Sequence, residues 1–255
     1  LESRDDLPFE IDGLVIKVEG ASLRETLGMR ARSPRWAVAL KFPPRQETTR
    51  LLDIQVQVGR TGALTPVAHL EAVEVGGVTV SRASLHNPNE IEQKGLMIGD
   101  TVIIQRAGDA IPQVVKPVES LRDGTEQPYQ FPENCPACAE SVWCPEGEVI
   151  PHCQNLQCPD QIRGRIEHFA SRRALDIDGL GEKLIDQLVT EGLVKTPSGL
   201  YQLEVDQLAA LERMAQKSAE NLIAALEQTK QRSFARLLHA LGIRHVSERV
   251  AELIV

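Results

Sequence analysis

The stretch Val73-Glu74-Val75-Gly76-Gly77-Val78-Thr79-Val80 has the pattern of a β-hairpin. Its valines recur at every second position on each side of the two glycines, as in a strand whose side chains alternate between two faces. A Gly-Gly pair suits the two-residue turn of a hairpin, because that turn needs positive φ angles. We therefore predict two antiparallel strands that turn at this pair.

Further strand patterns lie on both sides of the hairpin. Ile54, Val56 and Val58 alternate with polar residues before it, and residues 101–106 and 113–119 follow it. Five or so short strands in this length favour a small closed barrel such as an OB-fold. A β-sandwich is the alternative, because a period of two does not show whether a sheet closes.

The segment after these strands contains all five cysteines and few apolar residues. Four of the cysteines form two close pairs separated by a longer loop, namely Cys135, Cys138, Cys153 and Cys158. Four thiolates at this spacing predict a tetrahedral zinc site, which we interpret as structural because no coordination position stays open. Cys144 and His152 are alternative ligands, and four free thiols are the remaining possibility.

From Leu175 onward the apolar pattern is helical and repeats itself. Residues 177–181, 211–215 and 243–247 align, at a nearly constant spacing along the chain. Repetition of this kind predicts stacked helical pairs. The first copy contains Gly179 and Gly181 in the form of a helix-hairpin-helix turn, where backbone N–H groups at a helix N-terminus can contact a DNA phosphate.

Near the N-terminus, charged residues lie within two runs that have the pattern of buried strands. Asp12 and Lys17 belong to the first run, and Lys41 lies near the end of the second. An unpaired buried charge is costly, so such residues need a partner, an ion or a charged ligand. Two lysines from neighbouring strands favour a ligand that carries phosphate.

The spacing of Asp12 and Lys17 leaves an alternative open. Residues five apart on a regular strand point to opposite faces, so both can reach one site only if the strand bends, for which Gly13 is suited. Otherwise this is a surface strand with a charge at each end. Lys41 would then be a lysine whose head reaches solvent from a strand end.

Two arginines lie in predicted loops of the barrel. Arg60 is followed by Thr61 and Gly62, and Arg106 is followed by an Ala-Gly-Asp sequence. Loop arginines of this kind can hold a DNA backbone. A solvated loop charge is the commoner role for either arginine taken alone.

Composition favours several small modules over one large core. The 255 residues include 15 prolines and 18 glycines, and only 4% of them are aromatic. A net charge of −8 provides no overall basic field for nucleic acid, although local patches can still bind phosphates. A chain that starts with Leu1 and ends in an apolar run is predicted to be a piece of a longer protein.

The same composition bears on location. No apolar run reaches the roughly 18 residues of a membrane span, and no signal peptide is visible. Paired cysteines fit metal binding in a reducing cytosol better than a disulfide framework. We therefore predict a cytoplasmic protein without a membrane partner.

In this order along the chain, the motifs resemble those of bacterial NAD-dependent DNA ligases. Residues 11–17 look like the fourth nucleotidyltransferase motif of that family, and residues 39–43 look like its fifth. Residues 58–62, 85–87 and 106–112 look like its OB-fold signatures. The cysteine finger and the helix-hairpin-helix repeats follow in the family's order.

The resemblance implies a multidomain α+β fold. It implies the C-terminal part of an adenylation domain with a partial nucleotidyltransferase sheet, an OB-fold barrel, a four-cysteine zinc finger and a truncated all-α helix-hairpin-helix domain. The corresponding predicted boundaries are 1–44, 45–130, 131–160 and 161–255.

The resemblance also implies the chemistry of nick sealing. In this family NAD donates AMP to an enzyme lysine, AMP moves to the 5′-phosphate of the nick, and the 3′-hydroxyl displaces it. Lys17 and Lys41 would contact the adenylate and act in catalysis. Asp12 would position the nucleotide or a catalytic Mg²⁺ or Mn²⁺, and Arg4 matches an arginine of the same site.

On the DNA side, the resemblance implies that Arg60, Thr61 and Arg106 hold the backbone from the OB-fold. The helical repeats, with Gly179 and Gly181 in the first of them, would hold the flanking duplex. The expected partner is nicked duplex DNA, bound by a monomer during replication and repair at the bacterial nucleoid.

Departures from the family pattern also carry predictions. The family's nucleophilic lysine lies in a Lys-x-Asp-Gly motif, which this sequence lacks, as it lacks the domain that recognises the nicotinamide half. The chain alone is therefore expected to be inactive. Ala215 and Ser247 stand where the family has hairpin glycines, which favours the first hairpin as the DNA contact. A non-catalytic DNA-binding module and an ATP-dependent nucleotidyltransferase are the alternative functions.

Overall fold

A computed structural model describes residues 8–9, 11–30, 33–107 and 111–255, which form a mixture of β-strands and α-helices. The chain divides into two units. The first unit comprises Leu1–Gln55 and Pro66–Gln130, and the second comprises Val56–Thr65 and Phe131–Val255.

The N-terminal part of the first unit is a two-stranded ribbon. Its elements are β1 (Gly13–Lys17), α1 (Ala21–Leu27) and β2 (Ala37–Lys41). The strands are antiparallel, and in the described residues they pair only with each other. The prediction that these strands are buried is wrong for this structure, because Leu14, Ile16 and Val38 are 52%, 65% and 69% exposed. A ribbon of two strands has no second layer of its own to cover its apolar side chains.

Longer strands build the barrel predicted from the alternating pattern. They are β3 (Gln46–Val58), β4 (Leu64–Val75), β5 (Val78–Ser84), β7 (Thr101–Ala107) and β8 (Ile111–Pro117), closed in the order β3-β4-β5-β8-β7, while the short strand β6 (Met97–Ile98) lies outside this sheet. Closure excludes the sandwich alternative. Gly76 and Gly77 have φ of 56° and 72° and join β4 to β5, as the hairpin pattern predicts.

The barrel core is formed by the inward-facing residues of these strands. It includes Leu51, Ile54, Ala68, Leu70, Val75, Val80, Ala83, Leu85, Val102, Ile104 and Val114. Helix α2 (Pro88–Lys94) follows β5 and buries Ile91 in the same core. Asn87 begins this helix, because its side chain accepts a hydrogen bond from the Glu90 N–H at 3.0 Å.

An ion pair with a buried carboxylate stabilises the start of β7. Strand β6, which comes just before β7 in the chain, pairs with the short strand β9 (Gln127–Pro128). Asp100 is fully buried and accepts hydrogen bonds from Arg122 Nε at 2.7 Å and from the Met97 N–H at 2.7 Å. The carboxylate is thus paired and hydrogen-bonded, as a buried charge must be.

The second unit combines a small cysteine-rich segment with a helical array. The segment contains β10 (Val142–Trp143) and β11 (His152–Cys153), which pair with each other. The helices are α3 (Pro159–Ala170), α4 (Glu182–Thr190), α5 (Val205–Ala209), α6 (Gln216–Thr229), α7 (Phe234–Ala240) and α8 (Glu248–Ile254). Residues of α3 to α7 and of the segments between them share one core, which includes Ile166, Leu175, Ile185, Leu188, Leu200, Leu208 and Leu222.

The helical repeats match the sequence alignment residue for residue. The N-caps of α4, α6 and α8 are Gly181, Ala215 and Ser247, which are the last residues of the three aligned segments. Two positions earlier the backbone has a positive φ in each copy, at Gly179 (81°), Arg213 (62°) and His245 (68°). Each hairpin therefore turns in the same way, although only the first uses glycine.

Candidate functional site

The four paired cysteines converge on one point. The sulfur atoms of Cys135, Cys138, Cys153 and Cys158 all lie within 4.8 Å of one another. Cys135 Sγ is 3.9 Å from Cys158 Sγ, and Cys138 Sγ is 3.6 Å from Cys153 Sγ. The tetrahedron around zinc, with Zn–S bonds near 2.3 Å, has edges of about 3.8 Å. The donor set therefore fits a tetrahedral zinc ion.

Local backbone structure places each of these thiols. A tight turn brings Cys135 and Cys138 together, because the Ala139 N–H donates to the Cys135 carbonyl at 2.8 Å. Cys153 ends β11, and Cys158 is the N-cap of α3. The helix N-terminus favours a negatively charged sulfur at Cys158.

Burial governs the electrostatics of the cysteine cluster. Burial raises the pKa of the Cys158 thiol to about 12 and also raises the pKa of Cys153. At Cys138 burial acts in the same direction, but hydrogen bonds from the Glu140 backbone and the Asn155 side chain lower its pKa to about 7. Buried thiols of this kind become thiolates when a bound metal ion supplies positive charge.

The other two candidate ligands lie outside the cluster. Cys144 is exposed, with its Sγ 3.3 Å from the Glu148 carbonyl. His152 Nε2 lies 3.5 Å from the Glu148 carboxylate. Among the described residues, only the four paired cysteines form a group that could hold a metal ion.

The turn between β3 and β4 packs directly on the cysteine cluster. The Cys153 N–H donates to the Gly62 carbonyl at 2.8 Å, and the Leu64 N–H donates to the Pro151 carbonyl at 2.8 Å. Gly62 has a φ of 84°, and a Cβ atom on it would lie 2.3 Å from the Cys153 carbonyl oxygen. Only glycine fits there, so this turn and the cysteine cluster form one packed structure.

Arg60, predicted to grip DNA, contacts the helical array of its own unit. Its Nη1 donates to the Gly242 carbonyl at 3.2 Å. A Cβ atom on Gly242 would lie 2.4 Å from this Nη1, so the guanidinium lies directly against this glycine. Thr61 is exposed beside it. The DNA role of both residues stays a prediction.

Arg106, the other predicted DNA contact, braces the hairpin that connects β4 and β5. Its Nη1 donates to the Gly76 carbonyl at 3.0 Å and to the Val75 carbonyl at 3.4 Å. The guanidinium therefore has an internal role besides any contact with nucleic acid. Sequence patterns gave no sign of it, because it joins positions that are distant along the chain.

The ribbon brings two of the four predicted adenylate residues together. Lys41 and Asp12 form an ion pair, with their side chains 59% and 43% exposed. Lys41 lies opposite Gly13 and Lys17 lies opposite Ala37. Facing residues share a face, so both lysines project from the same side, about 13 Å apart along the strand. The fourth residue, Arg4, lies outside the described residues.

The first hairpin leaves its backbone accessible. A Cβ atom placed on Gly179 or on Gly181 would meet nothing within 4 Å. The Gly181 carbonyl accepts from the Leu184 and Ile185 N–H groups at 3.1 and 3.0 Å, which starts α4. The N–H groups before them point out of the first turn, as they do wherever an anion binds a helix N-terminus.

Comparison with known proteins adds independent observations. The profile of the NAD-dependent DNA ligase adenylation domain matches residues 1–45, and that of the NAD-dependent DNA ligase OB-fold domain matches residues 48–126. The profile of the SAM-like helix-hairpin-helix tandem matches residues 171–228.

Relatives cover the chain from end to end. A protein named DNA ligase from Syntrophotalea carbinolica is 53% identical over 99% of this chain. Proteins with the same name from Rubrobacter xylanophilus and Nitrosococcus oceani are 54% and 52% identical over 99% and 100% of it. The chain carries two domains that match NAD-dependent DNA ligases. It spans 38%, 37% and 38% of the length of these three relatives.

Among the described residues of the chain, none of the helices has the length and apolar character needed to cross a membrane.

Two residues that hold the site together were not among the predicted site residues. Gln161 is buried and donates from Nε2 to the Cys153 carbonyl at 2.8 Å. Gly164 lies inside α3, where its ideal Cβ would be 2.9 Å from the Cβ of Arg60. Glycine costs a helix interior about 1 kcal/mol relative to alanine, so its presence there was a usable signal of close packing.

Proposed function

We propose that this chain is part of an NAD-dependent DNA ligase that seals nicks in duplex DNA through enzyme–AMP and DNA–AMP intermediates. One observation carries the proposal: proteins named DNA ligase are 52–54% identical to it over at least 99% of its length. The protein would act as a monomer in the bacterial cytoplasm, during replication and repair at the nucleoid.

In this proposal Lys41 stabilises charge on the phosphoryl group that is transferred. An ammonium group placed beside the phosphoryl oxygens offsets the negative charge that develops on them. The ion pair with Asp12 orients Lys41 at the end of the ribbon. Lys17, on the same face, would contact the same adenylate from the other end of the ribbon.

Asp12 also offers a carboxylate of the kind that Mg²⁺ prefers as a ligand. When bound, Mg²⁺ or Mn²⁺ would supply a Lewis acid for the phosphoryl oxygens. Zinc would have a different role, because four thiolates complete its coordination and leave it structural.

We keep the domain boundaries at 1–44, 45–130, 131–160 and 161–255. The barrel and the helical array would both contact the nicked duplex. Gly179 and Gly181 would let a phosphate approach the backbone, since nothing within 4 Å would obstruct a Cβ on either of them. At Gly179 the phosphate would replace the Asp178 carboxylate, which accepts from the Gly179 N–H at 3.0 Å. Arg60 and Arg106 would add charge-assisted hydrogen bonds to the DNA backbone, because a guanidinium group carries five N–H donors.

We expect the longer protein that contains this chain to seal a nicked duplex with NAD and not with ATP. The measurement is conversion of a labelled nicked strand to full length with each nucleotide. The 255-residue chain alone should seal nothing, because it lacks a Lys-x-Asp-Gly nucleophile. Sealing that requires ATP would overturn the assignment. A longer protein that binds nicked DNA but never seals it would favour the non-catalytic DNA-binding module.

Replacing Lys41 by alanine in that longer protein should slow nucleotidyl transfer by about 10²–10³-fold, as loss of one charge-stabilising donor does in other enzymes. Single-turnover transfer of labelled AMP measures it. Lys230→Ala is the matched control, because Lys230 is also about half exposed and paired with a carboxylate, at 2.6 Å from Glu227. Equal rates in the two variants would show that Lys41 is only a solvated surface lysine.

A further inference from the structure

The third helical pair consists of α7, α8 and the hairpin between them, at residues 234–254. In the described part of the chain, Ala240 is the only residue of this pair in the core that the other helices share. Helix α6, by contrast, places Leu222 and Leu226 in that core. Leu241, in the third hairpin, is 55% exposed. Because hydrophobic stabilisation follows the apolar area that is buried, the shared core holds this pair only weakly.

Hydrogen bonds to backbone carbonyls dock the third helical pair on the rest of the second unit. His168 Nε2, on α3, lies 2.8 Å from the His239 carbonyl oxygen, which can only accept, so His168 carries a proton on Nε2. Arg60 Nη1 donates to the Gly242 carbonyl at 3.2 Å. The rings of His168 and His239 also meet edge to face, with their centroids 5.0 Å apart. Two basic side chains thus hold the end of α7 and the start of its hairpin.

The surroundings of His168 are rich in positive charge. A cavity of about 360 Å³ beside it is lined by Arg60 and by Arg165 of its own helix, and no aspartate or glutamate occurs among the described residues of its wall. On α7, His239 Nδ1 is buried and has no hydrogen-bond partner in the part of the chain that the structure describes. Arg236, one turn earlier on α7, donates to two carbonyls of the loop after α3. A charge on His168 would therefore add to charges of the same sign.

Two carboxylates that contact the third helical pair or the residues just before it are already paired with arginines. Glu148 of the cysteine-rich segment lies 3.3 Å from Arg244 of the third hairpin. Asp176 lies 3.3 Å from Arg232, just before α7. Each of these carboxylates balances the charge of an arginine. Neither lines the cavity beside His168, so neither offsets a charge placed there.

We propose that protonation of His168 releases the third helical pair from α3, which makes this pair a pH-sensitive arm of the second unit. Protonation leaves the Nε2–H donor in place and adds a positive charge to the ring. That charge would lie beside the Arg60 guanidinium and the His239 ring, without a carboxylate in the cavity wall. Undocking lets water solvate it. The inference concerns the fold and does not rest on the proposed function.

The direction of the pH dependence follows from the burial of His168. Burial lowers the pKa of this histidine and repulsion from Arg60 and His239 lowers it further, while the hydrogen bond to the His239 carbonyl acts in the opposite direction. An exposed histidine titrates near pH 6.5. Below about that pH the undocked state binds more protons than the docked state, so docking is fully present above it and weakens as the pH falls toward the lower pKa.

Hydrogen exchange measured by mass spectrometry tests this proposal on the longer, zinc-loaded protein. Exchange is followed from about pH 8 to about pH 5.5, on both sides of the ordinary histidine pKa, and is corrected for its intrinsic dependence on pH. Protection of residues 234–254 should be constant above about pH 6.5. Below it, protection should fall by about tenfold per pH unit, the slope for uptake of one proton. The helices α4 and α6 should keep their protection.

The decisive variant is His168→Gln, because its amide nitrogen can donate to the His239 carbonyl and does not titrate. This variant should remain docked at pH 8 and should lose the tenfold slope. His245→Gln is the matched control, since His245 is an exposed histidine of the same hairpin, and it should keep the slope. Thermal unfolding and zinc content show that each variant is folded. His168→Asn is a second neutral amide for the case that His168→Gln does not fold.

Three results would overturn the proposal. One is constant protection of residues 234–254 across the whole pH range in the unchanged protein. Another is an equal slope in the unchanged protein and in the folded His168 amide variant, which would assign the effect to a different group. The third is parallel loss of protection in α4 and α6, or loss of zinc at the same pH, because acid unfolding of the whole unit would then explain the change. None of these results bears on NAD-dependent sealing, which remains a separate measurement.

Discussion

Replacing Cys153 by serine is expected to reduce bound zinc from about one ion per chain to nearly none and to unfold the segment around it. Few apolar residues support that segment. Its buried core consists of Val58, Leu64 and three of the cysteines themselves. Structural zinc contributes about 10–16 kcal/mol to the folding of small finger peptides, far more than such a core supplies.

The damage should extend to the neighbouring turn. Cys153 donates its N–H to the Gly62 carbonyl and accepts at its own carbonyl from Gln161. Without the metal, the N–H and the carbonyl of Cys153 are no longer held in position for these two hydrogen bonds. Hydrogen exchange should therefore increase at residues 59–64 as well as at 131–160, while the helical core around Leu188 stays protected.

The matched control is Cys144→Ser, since Cys144 is exposed and outside the cluster. Metal analysis of both variants, with thermal unfolding before and after chelation, gives the comparison. Retained zinc in Cys153→Ser would show that the ligand set is different. Loss of zinc in Cys144→Ser would also show that the ligand set is different.

Local patterns were sufficient for much of the fold. Two positive φ angles at Gly76 and Gly77 follow from the glycines themselves, so the hairpin could be predicted from a short stretch of sequence. The cysteine spacing predicted a four-thiol cluster, and the sulfur atoms do converge. The nearly constant spacing of the helical repeats predicted stacked helical pairs, and in the structure the aligned residues Gly181, Ala215 and Ser247 are equivalent N-caps.

Features that depend on distant pairing were beyond these patterns. Lys41 is 29 residues from its partner Asp12, and the face it shares with Lys17 follows from the register of β1 against β2. Arg60 is 182 residues from the carbonyl that it contacts. Such contacts depend on which elements meet in space. The loop motif around Arg60 therefore suggested DNA binding, whereas the structure shows that Arg60 contacts a carbonyl within the same chain.

Replacing Gly62 by alanine should destabilise the second unit by about 3 kcal/mol, because two costs add at this position. A positive φ costs an L-residue roughly 1–2 kcal/mol. Overpacking costs roughly 1–3 kcal/mol more, because the new Cβ would lie 2.3 Å from the Cys153 carbonyl oxygen, a backbone atom that cannot swing aside.

A matched substitution separates the two costs. Gly192 has a φ of 72° and a Cβ there would meet nothing within 4 Å, so Gly192→Ala carries the backbone strain without the clash. Its expected loss is about 1 kcal/mol. Chemical denaturation of the zinc-loaded chain measures both free energies of unfolding. If the two variants lose equal stability, the barrel turn does not pack on the cysteine cluster as closely as the structure shows. Gly62→Ala can be compared with Gly192→Ala for zinc content as well. Loss of zinc in Gly62→Ala but not in Gly192→Ala would show that the turn helps to hold Cys153 in place as a ligand, because the strained contact is made by Cys153 itself.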